Sequence, residues 1–231
     1  MSTFQVKPIY CFISSNNEYK TMELVANKMA QRLSLVAQQN IKIEIICHKA
    51  VETEPLSALD QSYALFSLVH YVAQLHIPIS LIEKQLIRFC DKVIQSQKGF
   101  PYFLTIFQSL DRSTLPDSYQ ERRVIISRIR AINLLALRLS QSSHCGVLDL
   151  DSMFTRLGGQ NIGTDFTLKG ELAHDIAADF ISTTLLEDLA DSRISLSAEM
   201  KTQLLAGGYK GTLQRSLQRI FKKDGIEKTI N

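Results

Sequence analysis

An alternation constrains this chain more than any other feature. Short apolar segments rich in β-branched and aromatic residues recur between longer stretches with helical periodicity. "PIYCFIS" at 8–14 reads as a strand. It precedes "NEYKTMELVANKMAQRLSLVAQQ" at 17–39, where Tyr19, Met22, Val25, Met29, Leu33 and Val36 fall three or four residues apart. "IKIEIIC" at 41–47 alternates apolar and polar residues as a second strand, and residues 49–60, with Pro55, read as a loop or short helical turn. A third strand is expected at 63–70, because "SLIEKQLIRFCDKVIQSQKG" at 80–99 is already a helix stopped by Gly99. "PYFLTIFQSL" at 101–110 is a fourth strand, residues 116–143 a long helix, and "CGVLDLDSMF" at 145–154 a fifth strand. A Gly-rich loop at 158–165 leads into a last helix, whole or broken in two, at 165–190.

Strands separated by helix-length segments pair in parallel, because a parallel pair needs a long crossover. The expected fold is therefore a three-layer α/β/α domain over residues 1–190 with a parallel five-stranded sheet, followed by a helical extension over 191–231. Ligands of such sheets bind at the carboxyl ends of the strands. That edge would hold Ser14, Ser15, Asn16, the surroundings of His48 and His70, the segment from Gln108 to Asp111, and the segment from Asp149 to Phe154.

Composition narrows the class. Hydrophobic residues make up 45% of the 231 and charged residues 21%, which suits a domain with a filled core. No apolar run approaches the ~20 residues of a membrane span, and "MSTFQVKPIY" has no basic region leading into an apolar core, so no secretory signal is expected. Cys11, Cys47, Cys90 and Cys145 form no CxxC pair and read as buried free thiols in a reducing, cytoplasmic setting. The histidines His48, His70, His76, His144 and His174 have no metal-ligand spacing, so no metal is expected. "GGQNIG" lacks the order of a phosphate-binding loop and reads as a flexible surface loop, and no cofactor is expected.

Charge is uneven along the chain. Residues 201–231 hold seven Lys/Arg against two Asp/Glu, while the rest hold 19 against 21. "GTLQRSLQRIFKK" at 211–223 places Leu213, Leu217, Ile220 and Phe221 on one helical face, flanked by Arg215, Arg219, Lys222 and Lys223. A basic amphipathic helix of this kind suits the groove or acidic surface of a protein partner, and also an anionic membrane surface. Docking on its own domain is the alternative. The segment lacks the aromatic-basic interleaving of a single-stranded nucleic-acid site, so no nucleic acid is expected.

The order of elements resembles the SGNH (GDSL-type) hydrolase family. The resemblance rests on "VLDLDSMFTRLGGQNIGTDFTLKGELAHDIAADFI" at 147–181 and on "CFISSNNEYK", which falls where the family has its G-D-S block. It implies a serine nucleophile at Ser15, with Asp165 on the family's D-x-x-H motif. The motifs depart from the pattern. The third residue after Asp165 is Leu168, which cannot take a proton, and His174 is nine residues on. Ile13 and Ser14 replace the glycine and aspartate. Where an oxyanion block is due, at 68–72, the sequence reads "LVHYV". A serine nucleophile needs a base and an oxyanion hole. The expected function is therefore non-catalytic, that of an accessory or adaptor subunit; the resemblance to the family implies, by association, a bacterial multiprotein system such as secretion or surface-polysaccharide machinery. Ser15 or Asn16 then caps the helix that follows. The alternative is an ester hydrolase using Ser15 with His70 or His174 as an unconventional base. "VLDLDSMF" also resembles the D-x-D motif of haloacid dehalogenase phosphotransferases, but too little strand-like chain follows. Asp149 and Asp151 are expected to close the strand, one of them capping the next turn.

Overall fold

The computed structural model describes residues 8–49, 62–95, 99–108, 118–142, 145–192, 198–205 and 208–223. Five strands form one parallel sheet: β1 (Ile9–Ile13), β2 (Ile45–Lys49), β3 (Ser62–Ser67), β4 (Gly99–Leu104) and β5 (Gly146–Leu148). Their order is β2-β1-β3-β4-β5, the flavodoxin-like arrangement. The helices are α1 (Asn16–Ala37), α2 (Ile79–Gln95), α3 (Tyr119–Ser142), α4 (Leu150–Arg156), α5 (Gly159–Ile162), α6 (Glu171–Ser192), α7 (Ala198–Leu204) and α8 (Gly208–Lys223). The expected α/β/α architecture with a helical extension is what the chain adopts.

Strand alternation sorts the core into two layers. Ile9, Cys11, Tyr63, Leu65, Tyr102, Leu104 and Leu148 face α1, α4 and α6. Tyr10, Phe12, Ala64, Phe66 and Phe103 face α2 and α3. The second face is aromatic. The Phe66 ring lies 4.8 Å from that of Phe89 and 6.2 Å from that of Phe103, and Phe12 meets Phe89 edge-on at 5.2 Å.

Several boundaries differ from expectation for local reasons. β2 begins at Ile45 because its partner β1 offers only Ile9 to Ile13, and Ile9 pairs with Ile45. β3 ends at Ser67, and Val69–Tyr71 follow as a 3₁₀ turn carrying His70. The fifth strand stops at Leu148 because the Asp149 side chain accepts the Ser152 N–H at 3.1 Å and starts α4. The "GGQNIG" segment is packed: α5 is a single turn between Gly158 and Gly163, both left-handed, with Ile162 buried. The last helix starts at Glu171, after Gly170 at φ +91°. The expected loop at 49–60 and the ends of the fourth strand at 109 and 110 lie outside the described residues, apart from Lys49, which ends β2.

α8 belongs to the body. Ile220 and Leu204 join the core on the α1/α6 side, with Leu213 and Leu217 packed against it. Ser182 and Thr183 of α6 and Thr212 and Ser216 of α8 are buried, and the Thr183 and Thr212 hydroxyls sit 3.1 Å apart. Small side chains let the two backbones approach closely.

Candidate functional site

The candidate site is built around the start of α1. Ser15 has extended backbone (φ −147°, ψ 160°), and its Oγ accepts the Glu18 N–H at 3.3 Å. Glu18 reaches back: Oε2 accepts the Ser14 N–H at 2.7 Å and lies 3.3 Å from Ser15 Oγ. This is a capping box in which the carboxyl takes the amide one residue ahead of the cap. Glu18 Oε1 hydrogen-bonds Ser67 Oγ at the end of β3, and Ser67 Oγ accepts the Val69 N–H at 3.2 Å. Burial pushes the Glu18 carboxyl above its ordinary range, against the lowering effect of these bonds.

The turn at 165–168 closes the edge from above. Asp165 Oδ1 accepts both the N–H and the hydroxyl of Thr167, and the Leu168 N–H bonds the Asp165 carbonyl at 3.0 Å. Lys169 Nζ lies 3.4 Å from Asp165 Oδ2. Asp165 therefore shapes the turn. Leu168 sits at φ +56°, a left-handed conformation costly for a leucine, and is buried. With Phe166, Phe107 and Leu104 it walls a cavity over Glu18 and Ser67 of about 10 Å³, room for one water.

The sequence-expected bases lie elsewhere. His174, in the first turn of α6, places Nδ1 2.9 Å from Thr21 Oγ1. The Thr21 hydroxyl donates to the Asn17 carbonyl at 3.1 Å, so it accepts from His174 Nδ1–H. Burial, then Lys20, holds the His174 pKa below its usual value. His70 Nε2 meets the Gln74 amide at 2.7 Å, its ring stands edge-on to Tyr71 at 5.4 Å, and burial lowers its pKa. Among the described residues, no hydrogen bond links Ser15 to either histidine. At 68–72 the Tyr71 and Val72 amides bond the Leu68 and Val69 carbonyls, and Val69 N–H goes to Ser67. Those donors are spent within the turn. Sequence reasoning missed Glu18, although Ser15-x-x-Glu18 is a capping-box spacing.

Beside this closed edge lies an open groove of about 940 Å³ between α1, the approach to β2 and the start of α6. His174, Lys20, Glu23, Glu171 and Asp175 line it with Ile43 and Ile45.

Along α6 from this groove, Arg215 Nε lies 3.2 Å from Asp179 Oδ2, and Arg219 lies 2.9 Å from Asp175 Oδ2 and 3.5 Å from Asp179. The apolar residues expected to meet a partner, Leu213, Leu217 and Ile220, pack on the chain itself. The side chains of Phe221, Lys222 and Lys223 lie outside the described residues. At the β4–β5 edge, Asp149 accepts from the Thr105 hydroxyl at 3.0 Å, and Asp151 accepts from the Gln108 N–H at 2.9 Å and the Gln108 amide at 2.6 Å. Both carboxylates serve the loop ends. Among the described residues, no group of three or more His, Cys, Asp or Glu could hold a metal, and no helix is long and apolar enough to cross a membrane. Comparison with family models, curated proteins and solved structures returns no match to this chain.

Proposed function

We propose that this protein is a non-catalytic relative of SGNH-type hydrolases that works by protein contact, as an accessory or adaptor subunit of a bacterial multiprotein system such as secretion or surface-polysaccharide machinery. One observation carries the reading: Ser15 is spent on the capping box with Glu18 and bonds neither His70 nor His174. A serine that bonds no base among the described residues is not activated for acyl transfer. The partner expected on α8 would have to use the outer rim of that helix, since its apolar face is engaged. The outer stripe of α3 is free of that conflict. Tyr119, Leu134 and Leu137 are exposed along it, with Arg123 stacked over Tyr119 at 5.9 Å. Apolar and arginine side chains interleaved in this way suit a protein surface.

The test is intact-mass analysis after incubation with a fluorophosphonate serine probe, beside Ser15→Ala. The expected result is no adduct on folded protein. An adduct on the native chain that disappears in Ser15→Ala would overturn the reading and establish an activated serine.

A further inference from the structure

The four cysteines, scattered in the sequence, stand in two contact pairs. Cys11 of β1 and Cys47 of β2 are partners across the parallel ladder. Neighbouring strands place such residues about 4.8 Å apart, inside the roughly 4.4–6.8 Å Cα separation that a disulfide spans. Both side chains point to the α1 face, where Cys11 is core and Cys47 packs against it. Burial above all, then the neighbouring Cys47 thiol, holds the proton on Cys11. The Cys11 thiol in turn favours the Cys47 thiolate, against burial and the Glu23 carboxylate.

Access separates the two residues. Cys11 is fully buried, whereas Cys47 is half-buried on the edge strand of the sheet. In the second pair, Cys90 of α2 and Cys145 just before β5, each thiol likewise acts on the other, but both members are buried. One pair can therefore meet a small polar oxidant and the other is screened from it.

We propose that Cys11 and Cys47 form a redox-active dithiol, in which Cys47 reacts with a hydroperoxide and Cys11 resolves the product. In the first step the Cys47 thiolate attacks one peroxide oxygen. The O–O bond breaks, the S–O bond forms, and the alcohol or water leaves after taking a proton. Cys47 becomes a sulfenic acid. In the second step the Cys11 sulfur attacks Cys47, the S–O bond breaks, and the oxygen departs as water with the Cys11 proton. Two thiols and one hydroperoxide yield one disulfide, one water and one alcohol (or a second water). The bond would clamp β2 to β1 beside the α1–β2 groove.

The test uses the full reduced chain and hydrogen peroxide near stoichiometry, followed by alkylation of remaining thiols under denaturing conditions and peptide mapping. The expected product is two hydrogens lighter, keeps half of its titratable thiols and maps to a Cys11–Cys47 cross-link. In Cys11→Ser the sulfenic acid on Cys47 persists and is trapped by a dione reagent. Retention of all thiols would overturn the proposal, as would oxidation confined to Cys90 and Cys145. A sulfenic acid on Cys47 in the wild-type chain that never becomes a disulfide would equally overturn it. The wild-type mapping decides the matter if Cys11→Ser fails to fold.

Discussion

Two polar centres border α1, one at its own Glu18 and one where His174 of α6 meets Thr21, and burial has shifted them in opposite senses. At the sheet edge Glu18 is an acid whose pKa is pushed up, and at the groove His174 is a base whose pKa is pushed down. Desolvation disfavours the charged form of each, so both are driven toward neutrality. What differs is the space they face. Glu18 meets serines and a one-water cavity, while His174 lines a groove of about 940 Å³. The first centre is a structural knot. The second has room for a ligand but, among the described residues, no serine bonded to His174.

The largest effect should come from removing what seals the first centre. Leu168→Ala deletes a buried side chain from the cavity wall, and an unfolding loss of about 2–4 kcal/mol is expected by denaturant titration. If the closed edge is only structural, this variant stays unreactive toward the fluorophosphonate probe. Next in size, Glu18→Ala strands the Ser14 amide and the Ser67 hydroxyl, at about 1–3 kcal/mol. Glu18→Gln keeps the shape and should be near neutral at pH 7. The sign follows from the raised pKa. The contribution of Glu18 is full below the unfolded carboxyl value of about 4.3 and declines as pH rises through its folded value. Stability measured across this range should therefore slope less in Glu18→Gln than in the wild type.

His174 should slope the other way. Its depressed pKa makes its contribution full above the unfolded value of about 6.5, with loss as pH falls through the folded value. His174→Gln should cost about 1 kcal/mol at pH 8, where the Thr21 bond is weakened, and less at pH 5. A wild-type profile without these opposed slopes would break the comparison. The smallest effect belongs to the exposed latch. Arg219→Ala, with its guanidinium about a third exposed, should cost about 0.5 kcal/mol and less in high salt.

The sheet and its helices were legible because strand and helix periods differ and each segment carried its own pattern. Even the weak third strand at 63–70 was found, overrun by three residues where Val69–Tyr71 curl into a 3₁₀ turn. Apolar runs misled where a single polar cap outranked them, as at Asp149, which turns Leu150, Met153 and Phe154 from strand into helix. The cap role of Ser15 was readable from its position. The burial of Glu18 was not, because it depends on Ser67, 49 residues away. The pairing of Arg215 and Arg219 was not readable for a related reason: Asp175 and Asp179 lie on an earlier helix, and local charge counts do not see tertiary partners. The Cys11–Cys47 pair needed the strand register, which no spacing rule supplies.

α6 is buried without a break from Ile176 to Thr183, more than two full turns. Such a helix has no solvent side, and α8 supplies part of its cover. The chain is made from its N-terminus, so β1 to β5 and α6 leave the ribosome before the segment that shields them. Until α8 arrives, Asp179 lacks Arg215 and Thr183 lacks the Thr212 hydroxyl. The cover of α6 is thus completed only by a segment made after it, and a stop codon before residue 208 would release a chain with part of this helix uncovered.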